Sequence, residues 1–565
     1  MEAREILNIL DFIHGSRSAL QDTVRRLEPD ADWAIIVHLM RARILNHSVS
    51  ITELIRKSGL PYGTASRRIQ RMIEDGLIEK HVIGPGERRY ELFPSSLLWE
   101  HCGQFVQRIK VLFAQTLGMR TDAQRDEEYF FGERRENMAG LLPPRTLFDG
   151  LSSRRAQPGL RFLFHQDNYF SSLRNLWVDI RSSAGRNADF ELAELSELYE
   201  AVLANAAREV SDFDVVALNL PWVPEFVSKE LVLPAARYRP TSDARRFHPA
   251  IWDCSSWAGQ QAGVPLYITV EALAVRADLF EQNRLRAPRT PAEVLASASA
   301  LQKAGGISGV SWNGARGSPI ASAFMFFLND HGGAVASAAD RDECGFDIVE
   351  EQCRWSALLE SDSARSTLEF MQQLLEVSAP DVLSFNGDRT MDEFMSGRCA
   401  MAYVWSMRAA RFEFDLRSTV KGKVRYLARP NRHGARQTVP VGGFLLAVPS
   451  NLPRERMVLA AQAIDWMASS GARTSLAQNG LPLVPESGVG SDSEFDAASP
   501  VVSFVKELAQ NRLLDTSMRP WLPVYHAIED VLGEDIHDAL SGLTSPSLAL
   551  SRANRRIQAL LDRMI

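Results

Sequence analysis

The sequence predicts a multi-domain chain: a small α+β domain of helix, turn, helix and hairpin, then a much larger α/β domain. Three observations carry this. At 565 residues the chain is long enough for about three compact units. Residues 51–93 switch from a helical hydrophobic period to strict alternation. Beyond residue 159, short apolar runs alternate with amphipathic ones, as strands and helices do in an α/β sheet.

The small domain is read first. "SVSITELIRKSG" places Ile51, Leu54 and Ile55 on one helical face and stops at Gly59. A short turn leads to a second helix near Pro61, a residue suited to a first helical turn. On it Ala65, Ile69, Met72 and Ile73 form one stripe for burial, and Thr64, Arg67, Arg68 and Arg71 repeat on the other side. Gly76 ends this helix. "IEKHVI" and "RRYELF" then alternate around "GPGE", the pattern of a hairpin.

Helix, turn, basic helix and basic-tipped hairpin make a winged helix-turn-helix. Its second helix is expected to enter a DNA major groove with Tyr62, Thr64, Arg67, Arg68 and Arg71 towards bases or phosphates. Arg88 and Arg89, beside the wing tip, are expected near the minor groove or backbone. Solvated arginines on an ordinary amphipathic helix are the alternative, above all for Arg68. Charge agrees with the location: residues 1–120 hold 17 Lys+Arg against 14 Asp+Glu, a balance of +3 in a chain of net charge -7.

This stretch resembles the MarR-like winged-helix regulators, with "GLI" at Gly76-Leu77-Ile78 before the wing, over residues 1–118. The resemblance implies a homodimer. Leu98, Cys102, Phe105, Ile109 and Leu112 are spaced 4-3-4-3, an apolar seam able to pair helices. Packing against its own domain is the other reading of that seam.

Residues 119–158 lose clear periodicity and gain charge, Pro and Gly, which reads as a linker holding at most one short helix. After it, "LRFLFHQD" reads as a strand, "YFSSLRNLWVDIRSS" as a helix and "FDVVALNL" as a strand. In such α/β sheets ligands bind at the strand C-terminal ends.

Residues 159–565 resemble the extracellular solute-binding proteins of ABC importers, the carbohydrate type above all. "FDVVALNLPWVPEF", "GVPLYITVEALAVRADLF", "MDEFMSGRCAMAYVWS", "PVGGFLLAVPSNLPRERM" and "RPWLPVYHAIEDVLGEDI" carry the resemblance, in the family's order. It implies a two-lobed, type II periplasmic-binding-protein-like fold that closes over a solute by hinge motion. Positions matching the family's cleft segments are Gln166, Asp167, Asn168, Trp222, Tyr267, Glu271, Trp312, Asn313, Trp405, Arg408 and Trp521. Gly442, Gly443 and Phe444 are expected to bring backbone amides close. Core packing stands beside the ligand reading for Trp222, Trp312, Trp405 and Trp521, and helix capping for Asp167 and Glu271.

Other function classes find little support. No G-x-S-x-G, P-loop, G-x-G-x-x-G or HExxH occurs, and the eleven histidines form no paired metal-ligand spacing. No enzyme activity, metal or cofactor is expected. Five cysteines without CxxC spacing, an N-terminus without a basic and apolar leader, and no run of 18 apolar residues predict a cytoplasmic protein with reduced thiols. The expected partners are double-stranded DNA and a small solute, with no membrane. The reading is a ligand-responsive transcriptional regulator. An exported receptor with a vestigial N-terminal region, and a DNA-binding scaffold that no longer binds solute, are its alternatives.

Overall fold

Ser50 accepts a hydrogen bond from the Glu53 amide at 3.2 Å and so starts the helix that precedes the turn. In the computed structural model the described residues are 31–44, 49–82, 90–99, 101, 119–121, 129–131, 159–167, 169–174, 188–238, 247–338, 354–415, 418–434, 436–468 and 500–564. The chain divides into two compact units, Met1–Arg134 and Arg135–Ile565.

In the first unit, α1 (Ala31–Ile44) and α2 (Ile51–Lys57) precede α3 (Tyr62–Glu74). Gly59 takes φ +70 between α2 and α3, and Gly76 takes φ +74 after α3, so both expected stops are left-handed turns. Ala65, Ile69 and Met72 are buried against Ile35, Ile36, Leu39, Leu54 and Ile55. Strands β1 (Val49–Ser50), β2 (Ile78–Val82) and β3 (Tyr90–Pro94) form an antiparallel sheet in the order β1-β3-β2. The β2–β3 register runs from Ile78↔Pro94 to Val82↔Tyr90. This is a winged helix-turn-helix.

Two expectations change here. Leu98 is fully buried in this unit's own core, so the first position of the apolar seam is already used. Cys102, Phe105, Ile109 and Leu112 lie outside the described residues. Within the stretch read as a linker, β4 (Met119–Thr121) and β5 (Tyr129–Phe131) pair antiparallel. Three-residue strands are too short for alternation to stand out from loop sequence.

The second unit is built on one long sheet. β6 (Leu160–His165) lies parallel between β7 (Ala188–Ala193) and β8 (Val215–Asn219). β8 is buried along its whole length, as an unbroken apolar run in a parallel layer requires. Hairpin strands β9 (Ser256–Trp257) and β10 (Gln260–Gln261) lead into β11 (Val264–Arg276), thirteen residues long. β12 (Ser308–Ser311) follows, then β13 (Ala336–Ala338) and β14 (Trp355–Ala357), which pair antiparallel. β15 (Cys399–Trp405), β16 (Val424–Leu427), β17 (Val439–Ala447) and β18 (Leu514–Asp515) complete the set.

β11 defines the two lobes. Its first half, Val264–Val270, pairs with β17, which continues through β8 and β6 to β7. Its second half, Glu271–Arg276, pairs with β15 and β16, and β12 runs parallel to β15. One strand therefore belongs to both lobes, and the crossing lies near Thr269–Glu271. The C-terminal ends of β6, β8, β12 and β15 all point to that crossing, the place where α/β sheets bind ligands.

Candidate functional site

On α3 the structure separates the predicted DNA-facing residues. Tyr62 is 67% exposed, and Arg67 and Arg71, one helical turn apart, are exposed. Thr64 is half-buried. Arg67 donates to the Gly63 carbonyl at 3.1 Å, which lays its stem along the helix. Arg68 behaves differently: its Nη1 donates to Asp32 Oδ1 of α1 at 3.0 Å. It borders the buried stripe at Ile69, so an inward ion pair is closer to it than the free face. Arg68 is thus a scaffold contact. Arg88 and Arg89 lie outside the described residues.

Lobe one brings its polar residues to the end of β6. Asp167 accepts a 2.8 Å hydrogen bond from the Phe170 amide and another from the Tyr267 hydroxyl. Burial pushes the Asp167 carboxyl up to about 6, against the pull of Tyr267, the Phe170 amide and Arg408. Tyr267 is itself buried, its ring 4.3 Å from that of Tyr169. Gln166 is half-buried beside them, and Asn168 lies outside the described residues.

His165 closes the group. Its ring stacks on Phe444 at 5.0 Å, and burial, then Arg408, lower its pKa to about 3. The imidazole is therefore neutral at pH 7. With Nδ1 3.3 Å from the Ala193 carbonyl, that nitrogen carries the proton.

Lobe two answers with Trp405 and Arg408. Trp405, the last residue of β15, is half-buried opposite Glu271. Its indole lies against Gly442, where a Cβ would stand 2.8 Å from the ring. The Arg519 guanidinium lies 5.8 Å from the ring centroid, within cation–π reach. Arg408 donates to Asp388 at 2.6 Å. Its charge nevertheless acts on His165, Asp167, Tyr267 and Glu194, all in lobe one. Glu194 is in turn raised by burial and by Asp388. Arg408 and Asp388 thus face the β6 end across the crossing.

Five expected cleft residues are placed elsewhere. Trp222 is 1% exposed and packs on Tyr199 and Phe226. Trp312 is fully buried, with Nε1 donating to Ser378 at 3.0 Å. Both are core residues, since each follows a strand end that leads straight under the next helix. Phe444 is buried among His165, Phe170 and Tyr267. Glu271 is buried against Arg429 in an ion cluster. Gly443 (φ +150) serves packing, because its missing Cβ would sit 2.2 Å from the Tyr267 carbonyl. Asn313 is buried and its Oδ1 has no partner among the described residues, whereas Trp521 is half-buried at the edge of the core.

Gly443→Ala is therefore expected to destabilise the second unit by about 1–3 kcal/mol, by forcing β11 and β17 apart. A urea midpoint equal to wild type would show that the strands absorb the methyl group.

Sequence reasoning passed over His165, Asp388, Arg429 and Arg519. His165 precedes Gln166, and Arg519 stands two residues before Trp521, so their neighbours were the available signal. Arg429 had none, because its carboxylate partners are far away in sequence. Among the described residues no helix is long and apolar enough to cross a membrane.

Comparison with known proteins agrees with this fold. Residues 192–489 match the family described as bacterial extracellular solute-binding protein. Residues 30–79 match the winged helix-turn-helix DNA-binding family. Among solved structures, an ABC transporter solute-binding protein from Agrobacterium radiobacter K84, in complex with ribitol, is 21% identical. That match covers 71% of this chain and 98% of that one, with a TM-score of 0.64. Maltose-bound MalE3 of T. maritima is 22% identical, covers 72% and 100%, and has a TM-score of 0.61. A solute-binding protein from Agrobacterium vitis S4 with bound D-mannitol is 17% identical, covers 72% and 98%, and also has a TM-score of 0.61. These likenesses show a shared fold.

Proposed function

The chain belongs to the bacterial extracellular solute-binding protein family and carries a winged helix-turn-helix domain in its N-terminal part. From that premise we propose that it is a ligand-responsive transcriptional regulator, which binds operator DNA through α3 and senses a sugar or polyol in the cleft between its lobes. The observation that carries the reading is the conjunction itself: a winged helix-turn-helix with Arg67 and Arg71 exposed on α3 precedes a solute-binding-protein fold in one chain. A transport receptor has no use for the first half. The proposal places the protein in the cytoplasm, where operator DNA is.

The ligand set we assign is Gln166, Asp167 with Tyr267, Trp405, Arg408 and Trp521. An aromatic face suits the C–H side of a sugar ring or polyol chain, and a carboxylate and a guanidinium suit its hydroxyls. Ribitol, D-mannitol and maltose, bound by similar proteins, are the first compounds to try. Lobe closure would alter DNA affinity only as far as the ligand prefers one arrangement, a coupling of about 1–3 kcal/mol. A MarR-like dimer, offering two recognition helices to half-sites about one helical turn apart, is part of the proposal.

The test is footprinting on DNA selected by the protein from its genome, with and without each compound. Protection that shifts with one compound is the expected result; absence of any protected sequence would overturn the regulator reading. In the same assay, Arg67→Ala with Arg71→Ala should weaken binding and reduce the slope of log K against log salt by about two, one per lost phosphate contact. An unchanged slope would take α3 out of the groove.

A further inference from the structure

Between β16 and β17, residues 429–434 and 436–438 form a loop whose backbone is tied to two neighbouring segments. The Arg432 amide donates to the Asp330 carbonyl at 2.8 Å, and the Asn431 amide to the Arg289 carbonyl at 3.1 Å. The loop borders a half-open cavity of about 220 Å³. Arg429, Arg432, His433 and Arg436 line it, with Asn329 and Thr438 as neutral polar groups.

The charge of this wall is unbalanced. Among the described residues that line it Asp330 is the one carboxylate, and Arg429 already holds both of its oxygens, at 3.2 and 3.3 Å through Nε and 2.8 Å through Nη2. Arg432 donates to His433 at 2.8 Å and to the His331 carbonyl at 3.4 Å, and Arg436 to the Arg512 carbonyl at 3.1 Å. Neither makes an ion pair among the described residues. Each guanidinium has five N–H donors, so most remain available.

Arg432 is exposed, yet its guanidinium lies against the protein. It rests on Gly332, where a Cβ would lie 3.0 Å from Cζ. Two guanidinium groups and the Asn329 amide around one concavity match a tetrahedral oxyanion, while the Thr438 hydroxyl donates to Asp515 at 3.4 Å.

We propose that this cavity is a second binding site, separate from the cleft, for a phosphoryl dianion. Free phosphate and the phosphate group of a phosphorylated sugar share this chemistry. The site also touches the crossing between the lobes, because Arg429 in its wall is bonded to Glu271 on β11.

Isothermal titration of the full chain with inorganic phosphate, sulfate and glucose 6-phosphate, at constant ionic strength, tests the proposal. Saturable binding is expected, with at least tenfold loss in the Arg432→Gln, Arg436→Gln double variant. Both side chains are exposed, so the variant keeps its fold. Arg316→Gln removes an exposed charge paired with Asp538 and should leave affinity unchanged. Tighter binding of glucose 6-phosphate than of phosphate would name the sugar phosphate as the source, and equal binding would name free phosphate. No saturable heat with any of the three, the same heat with chloride, retained affinity in the double variant, or an equal loss in Arg316→Gln would each overturn it.

Discussion

Arg429→Ala is expected to destabilise the solute-binding unit by about 3–5 kcal/mol, the largest effect of any single change considered for this chain. Arg429 is 1% exposed. It bonds Glu271 of the crossing strand and Asp330 at the end of the helix Ser318–Asp330. The rings of Tyr403, Phe327 and Phe326 surround it, with centroids 4.6, 4.9 and 5.5 Å from Cζ. Burial opposes its charge, but Asp330 and Glu271 outweigh burial and hold its pKa above the usual arginine value. Removing the guanidinium leaves two buried carboxylates without the counter-charge they are bonded to, with only Arg519 still acting on Glu271, which is far costlier than never having buried them.

The pH dependence gives this prediction a signature. Burial already holds the pKa of Glu271 and of Asp330 above the ordinary carboxylate value, against the opposing pull of Arg429. A raised folded-state pKa means that the folded chain binds protons more tightly than the unfolded one. The contribution of these groups to stability therefore falls as pH rises through the raised values. Without Arg429 the rise is larger, so the variant should recover stability on acidification from pH 7 to 5 more than wild type does. Urea unfolding at both pH values, followed by tryptophan fluorescence, measures this. A loss below 1 kcal/mol with parallel pH curves would mean that the cluster does not hold the lobes' crossing together.

Trp405→Ala should weaken binding of the responsive compound among ribitol, D-mannitol and maltose by about 2 kcal/mol, roughly thirtyfold, if its indole is the stacking platform of the cleft. The ring is held from three sides: Gly442 beneath it, Phe326 edge-on at 5.8 Å, and the Arg519 guanidinium at 5.8 Å. Such a ring loses little entropy when a ligand settles on it. DNA binding without ligand should stay at the wild-type level. Loss of stability with unchanged affinity would instead place Trp405 with Trp222 and Trp312 in the core.

Those three tryptophans show where sequence reading stops. All follow or end a strand and look alike in the sequence, yet Trp312 is fully buried and Trp405 half-buried. The difference arises from what lies across from each. Ser378 takes the Trp312 N–H, whereas Gly442 leaves a flat floor under Trp405. Glu271 was legible as a residue near the crossing, but its partners Asp330 and Arg429 could not be read. Sequence separations of that size carry no periodic signal.

The sequence by itself determined the winged helix, its turn glycines and buried stripe, because these depend on contacts a few residues apart. The order of its strands and helices also determined the α/β class, and the two-lobed architecture was implied by the resemblance of its segments to the solute-binding proteins. Only the tertiary structure decided that Arg68 turns to Asp32, that Glu271 joins a buried ion cluster, and that Asp167 meets Tyr267 opposite Arg408. Local patterning states which residues are buried. Long-range packing alone brings charges together, and the cost of burying a charge unpaired decides which partners it takes.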